Sequence, residues 1–141
     1  MKVFMPETKT KISMPLFANA VQAGFPSPTE DFLEGRLDLN QHLIKNPPAT
    51  FFVRVTGDSM INAGIHPGDI LIVDRSLEPK SGKVIIAVIN GELTVKRLCI
   101  KPERTPPVHL LSENHKYPPL PVTEEMDFHV WGVVTNVIHK L

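Results

Sequence analysis

Gly57-Asp58-Ser59-Met60 places a serine hydroxyl where a branched, apolar stretch has just ended. Further on, Gly91-Glu92-Leu93-Thr94-Val95-Lys96-Arg97-Leu98 places a lysine inside another such stretch. A serine hydroxyl is a weak nucleophile that needs a base beside it, and a lysine with the ordinary pKa of about 10.4 is almost wholly protonated near neutrality. The two residues therefore make a catalytic pair only if Lys96 is desolvated. Bringing its pKa to about 7 takes roughly 3.4 units, on the order of 4.6 kcal/mol, which lies within the range documented for buried lysines. A turn of this kind also gathers backbone N–H groups, so the amides near Asp58 and Ser59 are the candidates for stabilising an oxyanion. Each segment taken alone has a plainer reading, since Gly-Asp-Ser is common turn chemistry and a strand lysine often faces solvent.

The other reactive side chains give less. His42, His66, His109, His115, His129 and His139 show no metal-ligand spacing, so neither a metal nor a cofactor is expected. The residues after Ser59 are Met60 and Ile61, which do not complete the Gly-x-Ser-x-Gly elbow of a Ser-His-Asp hydrolase. Cys99 is the single cysteine, so no internal disulfide forms, and its place in a strand makes it a packing residue. Trp131 reads as core or dimer interface rather than as a platform for stacking bases.

The elements that must position Ser59 and Lys96 are strands. Thr50 to Val55, Ile70 to Val73, Lys83 to Ile89, Leu93 to Ile100, Val108 to Leu111 and Phe128 to Ile138 are rich in branched and aromatic residues. Asn90-Gly91 suits a two-residue type I′ turn, which predicts that Ile89 pairs with Glu92 and that Ile85 falls opposite Lys96. That register sets the lysine beside an apolar wall. Pro67-Gly68 predicts a type II turn between the Ser59 region and the next strand. Asp38 is placed to cap a short helix through Leu39, Leu43 and Ile44, with Pro47 and Pro48 ending it. Ser27, Pro28 and Glu30 carry another N-cap pattern.

With 141 residues, one ordinary domain is expected. Lys plus Arg and Asp plus Glu are 15 each, so the chain lacks the cationic excess of a protein that grips phosphates, and sequence-specific DNA binding is not expected. At 42% hydrophobic residues there is material for a core. Apolar runs such as Val84 to Ile89 are far shorter than the roughly 20 residues a membrane helix needs, and the polar start lacks a secretory core, so a cytoplasmic location is expected. The first 30 residues hold four prolines, Pro6, Pro15, Pro26 and Pro28, and no sustained hydrophobic period, which predicts an extended, mobile arm over residues 1–30 ahead of a compact, mainly β domain over residues 31–141.

Together the motifs resemble the LexA/UmuD family of Ser/Lys self-cleaving peptidases, and within it the UmuD type. Gly24-Phe25-Pro26-Ser27-Pro28, Asp38-Leu39-Asn40-Gln41, Pro48-Ala49-Thr50, the Ser59 and Lys96 segments and Trp131-Gly132-Val133-Val134 follow the family's order, from about Phe17 to Ile138. The resemblance implies Ser59 as nucleophile, Lys96 as general base and Ala23-Gly24 as the bond cut. UmuD-type chains often have Cys before that glycine; Ala23 gives instead the Ala-Gly pair of LexA-like repressors. The resemblance further implies slow self-cleavage until a RecA filament on single-stranded DNA stimulates it. The shortened homodimer would then join a Y-family, UmuC-like polymerase subunit in translesion synthesis during the SOS response. A LexA-like repressor fragment is a weaker reading, because only about 50 residues precede the β region and they show no helix-turn-helix pattern. A membrane signal peptidase would need an anchor. From another class, a non-catalytic β interaction module would keep the Ser59 turn for structure alone.

Overall fold

The computed structural model describes residues 2–17, 21, 23, 24 and 33–141. In chain order the strands are β1 (Val3–Phe4), β2 (Ser13–Phe17), β3 (Leu33–Asp38), β4 (Thr50–Arg54), β5 (Ile70–Asp74), β6 (Val84–Ile89), β7 (Glu92–Ile100), β8 (Val108–Leu111), β9 (Leu120–Pro121) and β10 (Phe128–Ile138). One helix, α1 (Leu39–Leu43), follows β3. The chain divides into two units: residues 7–45, and residues 1–6 together with 46–141. The fold is mainly β, as the composition of the strands predicts.

The larger unit is built on an eight-stranded antiparallel sheet in the order β1-β4-β5-β10-β6-β7-β8-β9. Its centre is explained by β6. Ile85 and Ala87 join one apolar cluster with Leu98, Leu110 and Val133, while Ile86 joins another with Val53, Val55, Leu71, Val73 and Val95. A strand buried on both faces needs an unbroken apolar run rather than alternation, which is what Val84 to Ile89 supplies. The predicted hairpin forms between β6 and β7, with Ile89 paired to Glu92 and Ile85 to Lys96. Asn90 and Gly91 both take positive φ, 50° and 82°, as a type I′ turn requires. The Pro67-Gly68 turn is also present: Asp69 N donates to the His66 carbonyl at 3.1 Å across Gly68, whose φ of 91° a side chain would resist. Trp131 on β10 packs against the second of these clusters, tilted against Phe51 and covered by the Arg75 guanidinium.

The smaller unit pairs β2 with β3 and continues into α1. Asp38 caps that helix as expected, its carboxylate accepting from Asn40 N at 3.0 Å. Pro47 and Pro48 do more than end it, because with Ala49 they form a 3₁₀ turn that feeds β4. The pairing of β1 and β2 departs from the sequence reading, which found no sustained period over residues 1–30. β2 keeps Pro15 by pairing on one side only, an edge position that does not require the missing N–H. β9, two residues long, was also not anticipated. The N-cap pattern at Ser27, Pro28 and Glu30 lies outside the described residues. No helix among the described residues is long and apolar enough to cross a membrane.

Candidate active site

Ser59 is carried by the loop that leaves β4. Two hydrogen bonds close its base: Val55 N donates to the Asp69 carbonyl and Gly68 N to the Val55 carbonyl, each at 2.9 Å. Past Ser59 the buried Met60 anchors the loop, and a 3₁₀ turn over Ile61–Ala63 continues it. The hydroxyl is therefore held on the loop over residues 55–69, between two fixed strands, as its place after an apolar stretch suggested.

The hairpin register brings the lysine to it. Lys96 Nζ lies 3.4 Å from Ser59 Oγ, 3.2 Å from Thr94 Oγ1 and 3.2 Å from the Val95 carbonyl. All three neighbours are neutral oxygens. Burial pushes the Lys96 amine below its ordinary value of 10.5. A neutral amine has two N–H donors and one lone pair. Thr94 Oγ1 and the Val95 carbonyl can take the donors, which leaves the lone pair for the Ser59 proton. Thr94 escaped sequence reasoning; its signal was the two-residue spacing that puts it on the same strand face as Lys96.

A second brace comes from residues 113–117, which sequence reasoning also missed. The buried Asn114 donates through Nδ2 to the Asp58 carbonyl at 3.0 Å, while its Oδ1 accepts from Lys116 N at 3.1 Å. Asn62 N donates to the Glu113 carbonyl at 2.8 Å, and Glu113 forms an ion pair with Arg97, next to Lys96 on β7. The Tyr117 hydroxyl donates to the Asp58 carboxylate, which raises that phenol above its usual 10. In a planar trans peptide the carbonyl and the following N–H point in opposite directions. By holding the Asp58 carbonyl, Asn114 fixes the Ser59 N–H to point away from itself. Beside Ser59 lies a cleft of about 160 Å³, lined by Val55, Gly57, Met60, Leu93 and Thr94 among others.

Residues 15–135 match the family described as Peptidase S24-like. The chain belongs to that family. It is 48% identical over 126 residues to Protein SamA of Salmonella typhimurium, covering 89% of this chain and 85% of that one. It is 38% identical over 125 residues to Protein MucA of Escherichia coli, covering 88% and 83%. The LexA repressor of Pectobacterium carotovorum subsp. carotovorum is 36% identical over 121 residues, 85% of this chain but 58% of the repressor. The expected kinship with the UmuD-type branch therefore holds, since SamA and MucA are UmuD-like proteins matched over most of their length.

The structure brings together two of the residues singled out from sequence, Ser59 and Lys96, with the Asp58–Ser59 peptide adjoining them. Ala23 and Gly24, which belong to the other unit, are both exposed. Cys99 is half-buried on β7. Two of the histidines behave differently from the sequence reading, since His66 and His139 converge on Asp69; His109 keeps a buried Nδ1 with no hydrogen-bond partner among the described residues.

Proposed function

We propose that the chain is a self-processing serine peptidase that cuts its own Ala23-Gly24 bond with a Ser59/Lys96 dyad. The observation that carries this reading is the approach of Lys96 Nζ to 3.4 Å from Ser59 Oγ, with burial holding the amine below its ordinary pKa. Neutral Lys96 takes the hydroxyl proton as Ser59 Oγ attacks the Ala23 carbonyl carbon, forming a tetrahedral oxyanion that the Asp58 and Ser59 amides stabilise. The ammonium then protonates the departing Gly24 nitrogen as the C–N bond breaks, leaving an ester between Ala23 and Ser59. Water, deprotonated by the same lysine, hydrolyses that ester. Gly24 after the bond lets the backbone approach closely. Tethering the bond to its own chain raises its effective concentration, so a modest catalyst suffices for one turnover.

Likeness to UmuD-type proteins supports the wider role: a cytoplasmic SOS mutagenesis factor whose arm, residues 1–30, is cut when a RecA filament on single-stranded DNA stimulates the domain over residues 31–141. The shortened homodimer then serves a UmuC-like, Y-family polymerase subunit in translesion synthesis. Zero formal charge accords with docking on proteins rather than gripping DNA. Incubating the purified chain at mildly alkaline pH, or with RecA, single-stranded DNA and nucleotide, is expected to yield a fragment that begins at Gly24 and has 141 − 23 = 118 residues. An intact mass throughout would leave the non-catalytic interaction module as the better reading.

A further inference from the structure

We propose that His66, Asp69 and His139 form a metal site that takes one zinc ion per chain. The three side chains offer two imidazole nitrogens and a carboxylate oxygen, all within 4.8 Å of one another. Three points so spaced have a common centre no more than about 4.8/√3, or 2.8 Å, from each. Zinc bonds to His nitrogen and carboxylate oxygen are about 2.0–2.2 Å, so a tetrahedral site is completed when the 2.6 Å His139–Asp69 contact opens to roughly 3.3 Å and the wider pairs draw in. Two neutral nitrogens and one hard oxygen suit zinc or nickel rather than magnesium or calcium.

The site is part built and part open. Asp69 is 4% exposed, and its Oδ2 already accepts His66 N at 2.8 Å, which fixes the carboxylate on its turn. His139 Nδ1 meets Asp69 Oδ1 at 2.6 Å, and His66 Nδ1 lies 3.8 Å from Oδ2. The two rings are tilted against each other with centroids 4.8 Å apart. Both imidazoles are more than two-fifths exposed, so they can turn to bring their lone pairs inward while solvent supplies the fourth ligand. Arg54, a cationic side chain at this turn, donates to the Gly68 carbonyl at 3.0 Å. Histidine spacing hid the site because His139 is 70 residues from Asp69 in the chain. An ion here would pin the end of β10 to the turn that closes the base of the Ser59 loop.

Calorimetric titration of the chelator-treated full chain with zinc chloride near neutral pH tests this. One equivalent per chain is expected, and His66→Gln and His139→Gln, both at exposed positions, should each weaken binding by about tenfold or more, since even outer-shell losses cost 10–100-fold. NMR of the unsubstituted chain gives a second readout, in which the His66 and His139 ring signals shift on zinc addition and those of His42, His109, His115 and His129 stay put. Absence of saturable binding up to about 1 mM zinc, an affinity unchanged in both variants, or one ion shared between two chains would overturn the proposal.

Discussion

At the scale of single residues, the site turns on one side chain whose environment opposes its usual charge. Desolvation lowers the Lys96 pKa, and no carboxylate among the described residues restores the ammonium. The unfolded chain then holds that proton to higher pH than the folded one, so this residue's contribution to stability rises with pH between the folded value and 10.5. Activity should follow the same titration: self-cutting is expected to speed up as pH rises and to level off at a midpoint below the ordinary lysine value. Ser59→Ala and Lys96→Ala should each slow cutting by about 10³-fold or more, with the double variant no slower, because the two act as a unit. Mass spectrometry of timed samples across a pH series checks both. A rate that is flat with pH, or a Lys96→Ala chain that still cuts at full speed, would remove the base from the scheme. Thr94 belongs to the same scale, since it gives one of the amine's N–H groups a place to go.

At the scale of elements, the loop bearing Ser59 is held from one side by its own β4–β5 connection and from the other by residues 113–117. Asn114 is the joint between them, 4% exposed and bonded to the Asp58 carbonyl. Replacing it with alanine leaves that carbonyl with only the longer bond from Ile61 N at 3.4 Å, which should destabilise the fold by about 1 kcal/mol. It should also slow cutting by up to about 100-fold, as small displacements of reacting groups do. Because Lys96 is untouched, the pH midpoint of cutting should stay where it was. Denaturant unfolding and the pH–rate profile together separate this positioning effect from simple loss of folded protein, and a shifted midpoint would contradict it.

At the scale of the whole molecule, β1 couples the beginning of the chain to the sheet that carries Lys96 and leads into the Ser59 loop. Val3 and Phe4 pair with Val53 and Phe52, and Arg54 N donates to the Lys2 carbonyl at 3.0 Å. In the proposed reaction residues 1–23 part from the remainder, and β4 then becomes an uncovered sheet edge of the kind that recruits other strands. Amide exchange at Arg54 should therefore be slow in the intact chain and faster in the fragment that begins at Gly24 once the released peptide is removed. Equal protection before and after cutting would mean that β1 does not guard this edge in solution.

Much of this was legible in the linear order of residues. Asn90-Gly91 prescribed a two-residue turn, the turn prescribed the register, and the register put Lys96 opposite Ile85; each step is local, because a hairpin is a contact between near neighbours. The strands from Thr50 to Ile138 and the Asp38 cap followed from side-chain branching and short-range hydrogen bonding in the same way. What only the folded chain decided depends on separation. Asp58 and Asn114 are 56 residues apart and Asp69 and His139 are 70 apart, so no spacing rule joins them. β1 and β9, with two residues each, are strands only because a neighbour supplies partners for their backbone groups. Composition and short-range pattern thus determined the β architecture and singled out Ser59 and Lys96 as reactive side chains, while only the resemblance to the LexA/UmuD family paired them. Their approach to 3.4 Å, and the burial that depresses the amine's pKa, came from long-range packing that brings distant segments of the chain into contact.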